Sequence, residues 1–182
     1  FFFSAECSSS LFNLIRQGFL HAQTSKKHVH RCCIFNAYGR ITHILSQSDV
    51  VRFIGENLRF LGEMRNSSAK TLGFLKQVYC IEENQSVLAA LELMQEKKLT
   101  SVGILSTTLQ NSPLIDSFSV SDLRGFTVEK FESIQSATLS EWRMQSNRKN
   151  LVTYQPDTTL TEIIQTLVKH KLHRLYCVDE KN

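Results

Sequence analysis

The sequence predicts an α+β protein built from tandem strand–helix–strand–strand–helix repeats that pack in pairs. Three observations predict it. Two short signatures recur: Val29-His30-Arg31 returns as Leu172-His173-Arg174, and Ser46-Gln47-Ser48-Asp49 returns as Ser119-Val120-Ser121-Asp122. The aspartates stand 73 residues apart and the histidines 143, so one period explains both. Each copy also carries a helical apolar face followed by short apolar strands.

In the first copy Ser10 precedes Leu11, Leu14 and Ile15, with a helix break expected near Gly18. Strands are expected over Val29–Phe35 and Ile41–Leu45, around the turn Asn36-Ala37-Tyr38-Gly39. In the middle copy Ser86 is the expected N-cap of a helix whose face is Val87, Ala90, Leu91 and Met94. Strands Thr100–Leu105 and Leu114–Val120 follow, joined by a turn at Gln110-Asn111-Ser112-Pro113. In the last copy Thr159 and Glu162 make a capping box, Leu160, Ile163, Ile164 and Leu167 form the face, and a strand is expected over Leu172–Val178. Helical pattern resumes after Asp49 and, more weakly, from Leu123. A unit of this size cannot cover its own sheet, so units are expected to pair. Polar connectors run over Glu56–Gln77 and Phe126–Asn150, and Ile134–Met144 is expected to form a short packing helix carrying Trp142.

Composition bounds the function. With 182 residues, 42% apolar and 21% charged, the chain is globular rather than disordered. A chain of this length buries roughly 70% of its unfolded surface and needs no metal or disulfide to hold a core. No apolar run reaches the about 18 residues that span a bilayer. The opening Phe1-Phe2-Phe3-Ser4 lacks the basic start and long apolar stretch of a signal peptide, and without an initiator Met the chain reads as part of a longer protein. The net charge of +4 is too mild to indicate a nucleic-acid partner. Cys7, Cys32, Cys33, Cys80 and Cys177 form no CxxC and are read as small reduced core residues of an intracellular protein, cytoplasmic or nuclear. Two prolines and seven glycines exclude collagen-like and linker-rich chains.

The repeat grammar resembles the cystathionine-β-synthase (CBS) domain, whose tandem pairs form Bateman modules. It is most similar to the gamma subunits of AMP-activated protein kinase and their plant gamma-like relatives, which hold four such repeats. The stretch from Thr159 to Ile164 running into Leu172–Glu180 is similar to their fourth repeat. The segments His30–Asp49 and Ser86–Asp122 are similar to their second and third. The resemblance divides the chain into a repeat at 1–60, a second at 78–130 and a partial one at 150–182. It implies a missing first repeat and a fourth whose aspartate, one period on, would fall at about residue 195.

The same resemblance implies a non-catalytic regulatory subunit that binds AMP, ADP or ATP between repeats, senses energy status, and partners a kinase alpha subunit and a beta subunit. It involves no nucleic acid and no membrane. It implies ribose contacts from Asp49 and Asp122, with Ser46, Ser48, Ser119 and Ser121 meeting phosphate at a helix N-terminus. The physics suits this: free N–H groups and the helix dipole favour an anion there, and a carboxylate accepts from two vicinal hydroxyls. The plainer reading is a structural cap, since Ser-x-x-Asp is close to a capping box. His30, Arg31, His173 and Arg174 resemble phosphate-contacting residues, and an Arg fork donates two bonds to phosphate. Lys26, Lys27, Lys169 and Lys171 read equally as solvated helix ends. In the middle copy Thr100-Ser101 replaces His-Arg and removes the charge. Base contacts are implied near Val78–Ile81, Gln85, Ala90, Leu151, Val152 and Tyr154, where ordinary core packing is the competing reading.

Other chemistry is absent from the sequence. His28, His30 and Cys32 lack a fourth zinc ligand in range. No nucleophile elbow, P-loop or HExxH occurs, so no enzyme, catalytic residue, metal or catalytic cofactor is expected. Two alternatives remain: a nucleotide-independent scaffold subunit, and a CBS module regulating another enzyme through an adenosyl ligand or a redox partner.

Overall fold

The computed structural model describes residues 3–20, 29–124, 127–128, 132, 136–146 and 151–179. Lys26, Lys27, His28, Phe126, Ile134 and Glu180 lie outside the described residues. The chain divides into two compact units: Phe1–Ser67 with Thr159–Arg174, and Ser68–Thr158 with Leu175–Asn182.

The first unit opens with strand β1 (Phe3–Glu6), which the sequence reading did not anticipate. Ser10 caps helix α1 (Leu11–Asn13) by accepting from the Asn13 N–H at 3.2 Å. The expected break near Gly18 does not occur. The chain continues over Leu14–Leu20 in wider π winding, which puts Leu14 and Phe19, five residues apart, both into the core. Strands β2 (Arg31–Phe35) and β3 (Ile41–Ser46) form the hairpin, so β2 starts two residues later than expected. The Asn36 side chain closes its turn by accepting from the Tyr38 and Arg40 N–H groups, both at 3.0 Å. Helix α2 (Gln47–Glu56) follows, and the connector begins with a 3₁₀ stretch, Leu58–Asn66. The core gathers Leu14, Phe19, Val29, Cys32 and Val50.

Helix α5 (Leu160–His170), the last in the chain, also belongs to this unit. Thr159 and Glu162 close the expected capping box, and Leu160 donates its N–H to the Ser67 carbonyl at 2.9 Å. A Cβ built on Gly55 of α2 would lie 3.1 Å from Val168 and 3.3 Å from Ile164, so glycine lets the two helices approach closely.

In the second unit β4 (Cys80–Glu82), α3 (Val87–Glu96), β5 (Ser101–Leu105) and β6 (Leu114–Ser119) repeat the order. Ser86 caps α3 by accepting from the Ala89 N–H at 3.0 Å. After β6 comes a four-residue 3₁₀ turn, Val120–Leu123, and most of the helix expected from Leu123 onward lies outside the described residues. Helix α4 (Leu139–Gln145) is shorter than the expected 134–144 segment because it starts at an overlooked capping box, Thr138 with Glu141. It joins the core of Val87, Ala90, Met94, Val102, Ile104, Phe118, Leu139 and Trp142. Strands β7 (Thr153–Tyr154) and β8 (Tyr176–Cys177) complete the unit. The expected strand Leu172–Val178 shrinks to two residues, because β8 has one neighbour where β2 and β5 have two. Among the five cysteines Cys32 alone is buried, while Cys7 and Cys80 are exposed, which corrects their reading as core residues; all five are free thiols.

Register verifies the repeat. In each sheet the first strand runs parallel to the second, pairing Ser4 with Cys33, Cys80 with Gly103, and Thr153 with Tyr176. The hairpins pair Arg31 with Ser46 and Ser101 with Ser119, and both ladders shift register at the same place, Ile34/Phe35 and Ile104/Leu105. Arg31, Ser101 and Arg174 therefore share one position, two residues before the paired Cys33, Gly103 and Tyr176.

Candidate functional site

At the end of β3 the chain turns into α2, and Ser46 and Asp49 lock the corner. Asp49 Oδ2 accepts from the Ser46 N–H at 2.9 Å and its hydroxyl at 2.6 Å, and Ser46 Oγ accepts from the Asp49 N–H at 3.2 Å. Gln47 donates its N–H to the His30 carbonyl at 3.2 Å and its side-chain amide to the Val29 carbonyl at 3.0 Å. These bonds hold the exposed His30 and Arg31 beside the Ser46–Asp49 corner. Ser48 Oγ lies 3.4 Å from His173 Nδ1, so two residues predicted from separate repeats meet.

Asp49 Oδ1 takes a further partner, Arg52, at 2.6 Å. Hydrogen bonds from the Ser46 hydroxyl and N–H, with the Arg52 charge, hold the Asp49 carboxyl below the ordinary aspartate range, so it is an ionised acceptor. Both residues line a groove of about 470 Å³ with apolar walls from Leu14, Ile34, Ile44 and Leu45, and with His43 and Glu6 at its polar side. An adjoining hollow of about 390 Å³ adds Asn13, Gln17 and Phe35. Arg52, His43 and Glu6 were missed in the sequence. For Arg52 the signal was there: it stands three residues after Asp49 on one helix face.

The second unit repeats the corner. Asp122 Oδ2 accepts from the Ser119 N–H at 2.8 Å and its hydroxyl at 2.9 Å, and Ser121 Oγ lies 2.7 Å from Ser119 Oγ. Val120 donates its N–H to the Thr100 carbonyl at 3.1 Å, as Gln47 does to His30. Asp49 and Asp122 thus sit in equivalent settings. At the position of Arg31, Ser101 bonds the Tyr176 hydroxyl at 3.1 Å. Gly125 stands where the first copy has Arg52, and lies outside the described residues. Ala90 is fully buried in the core, whereas Gln85 is exposed and offers its carbonyl to the Leu139 N–H at 2.8 Å. Leu151 and Val152 are half-buried just before β7, and Arg174 is exposed. Among the described residues no group of His, Cys, Asp or Glu is placed to hold a metal ion.

Hydrogen bonds from the capping threonines likewise lower the carboxyl pKa of Glu141 and Glu162. A carboxylate with a depressed folded pKa adds stability above its unfolded pKa, about 4, and loses it as pH falls through the folded value. Asp49→Asn is therefore expected to lower the urea midpoint at neutral pH and to converge on the wild type as pH falls through the folded pKa of Asp49. A gap that stays constant with pH would refute the linkage.

Residues 146–182 match the family model of the CBS domain. A gamma subunit of 5′-AMP-activated protein kinase from Dictyostelium discoideum is 24% identical over 149 residues, covering 76% of this chain and 26% of that protein. The gamma-3 subunit from Sus scrofa is 22% identical over 170 residues, covering 85% and 31%. The chain thus spans between a quarter and a third of these relatives. Among solved structures, a Methanocaldococcus jannaschii protein described as an archaeal homologue of the gamma subunit superposes with a TM-score of 0.65 at 14% identity, covering 98% of this chain and 60% of that one. The CBS domain of a bacterial CNNM/CorC Mg²⁺ transporter, solved in complex with ATP, gives 0.53 at 15% identity, covering 68% and 81%. The chain has the CBS fold and resembles the gamma subunits of AMP-activated protein kinase; these likenesses support a regulatory CBS module.

Proposed function

We propose that this chain is a non-catalytic, gamma-like regulatory segment that binds an adenine nucleotide in the groove beside Asp49. It reports energy status to a kinase alpha subunit with a beta partner, in the cytoplasm or nucleus. One observation carries the reading: a single groove joins apolar walls fit for a base, an ionised Asp49 fit for ribose hydroxyls, and Arg52 fit for phosphate. Ser48 and His173 add donors at the N-terminus of α2, where an anion is favoured. The ATP held by the transporter's CBS domain is in keeping with this. Ligands with different phosphate numbers shift the module only insofar as they bind its states unequally.

Calorimetry of the chain with AMP and ATP tests the reading. Asp49→Asn, which keeps the shape but removes the charged acceptor, is expected to weaken binding about tenfold or more. No heat with millimolar nucleotide, or unchanged affinity in Asp49→Asn, would sink it. A specific observation favours the scaffold alternative: both corners close on themselves, Ser46 with Asp49 and Ser119 with Asp122. Capture of alpha and beta subunits by an Asp49→Ala/Asp122→Ala chain, with kinase regulation intact, would support it.

A further inference from the structure

We propose that Arg52 makes the groove selective for nucleotides over nucleosides by an exchange of partners on Asp49. This deepens the nucleotide reading and rests on it. Asp49 has two carboxylate oxygens. Oδ2 is held by two donors from Ser46, and Oδ1 by the Arg52 guanidinium at 2.6 Å. Oδ2 is thus filled and Oδ1 has one acceptor site left, so a ribose diol that donates both hydroxyls to Asp49 must displace Arg52 from Oδ1. An uncharged nucleoside breaks this ion pair and offers the guanidinium nothing in return. A nucleotide brings a phosphate to which the released fork turns with two charge-assisted bonds. Arg52 is free to make that turn, because its side chain is 61% exposed and packs into no core. The groove also needs it: Glu6 lines the same space and opposes an anion. The second copy has Gly125 at this position, so the device belongs to the first corner.

Calorimetry with AMP and adenosine on the whole chain reads the exchange, using wild type, Arg52→Gln and Arg52→Lys. The wild type is expected to prefer AMP. Arg52→Gln is expected to weaken AMP roughly 10- to 100-fold while adenosine tightens, since its competitor for Oδ1 is gone. Arg52→Lys, which keeps the charge but not the fork, falls between. Opposite movement of the two ligands supports the exchange. AMP and adenosine weakening together, or AMP unchanged, overturns it while leaving the nucleotide reading in place. A wild-type chain that binds neither ligand removes both.

Discussion

Phe118→Ala is expected to destabilise the second unit by about 3–5 kcal/mol. Phe118 is fully buried on β6 and meets Trp142 edge to face, with ring centroids 4.9 Å apart and planes at 89°. Its neighbours Val102, Ile104, Leu139 and Val87 are just as inaccessible, and they come from one strand and two helices whose backbones are tied by ladder and cap bonds. They cannot collapse into the space the ring leaves, so the cavity term adds to the lost transfer free energy. The loss of the edge-to-face contact adds about 1 kcal/mol. Trp142 is the only tryptophan, so its fluorescence during urea unfolding reports this core directly. The control is Phe60→Ala: Phe60 is 71% exposed, and its removal is expected to shift the midpoint by no more than about 0.5 kcal/mol. Equal effects of the two substitutions would mean that Phe118 does not hold the core described here.

The repeat was readable because its signals are local. Caps at Ser10, Ser86 and Thr159 need only a side chain three residues from an amide, and the apolar faces of α3 and α5 need only helical spacing. The alignment of His30-Arg31, Thr100-Ser101 and His173-Arg174 reappears as a shared ladder register, a tertiary fact that the short signatures encoded. Failures arose where tertiary contacts decide. Gly18 looks like a helix breaker, but burial of Leu14 and Phe19 draws the chain into π winding through it. Thr138 and Glu141 form a capping box as sound as the one at Thr159, and it starts the helix four residues after the expected Ile134. At the candidate site the Ser46–Asp49 and Ser119–Asp122 corners were legible as motifs, but their closure onto themselves was a matter of geometry. The apolar walls of the groove were not legible, because Leu14, Ile34 and Ile44 come from three elements with no common spacing. Arg52 went unread because a basic residue on an exposed helix face has an ordinary explanation in solvation.

Arg143→Met is expected to cost about 2 kcal/mol, and adding Asp116→Leu is expected to recover most of it. Asp116 sits on the core face of β6, one pleat from Phe118, and its side chain is only 9% exposed. Arg143 reaches it from α4, with Nε 3.4 Å from Oδ2, while Oδ1 accepts from the Ser117 N–H at 2.7 Å. The cost is set below that of a fully buried pair because Arg143 is 43% exposed and water screens part of its charge. Removing the cation takes the charge partner from a carboxylate desolvated beside an apolar core, and the hydrogen bonds that remain, the Ser117 N–H among them, offset that charge only in part. Removing the carboxylate as well relieves the penalty, because leucine at 116 adds apolar surface at a buried position on the face of β6 that also carries Phe118 and leaves no charge to satisfy. The coupling is thus read from a double-mutant cycle of urea midpoints, in which the double substitution is more stable than Arg143→Met alone. Additive losses would mean that the two side chains act independently and that α4 is held to β6 by its apolar residues alone, Leu139 and Trp142.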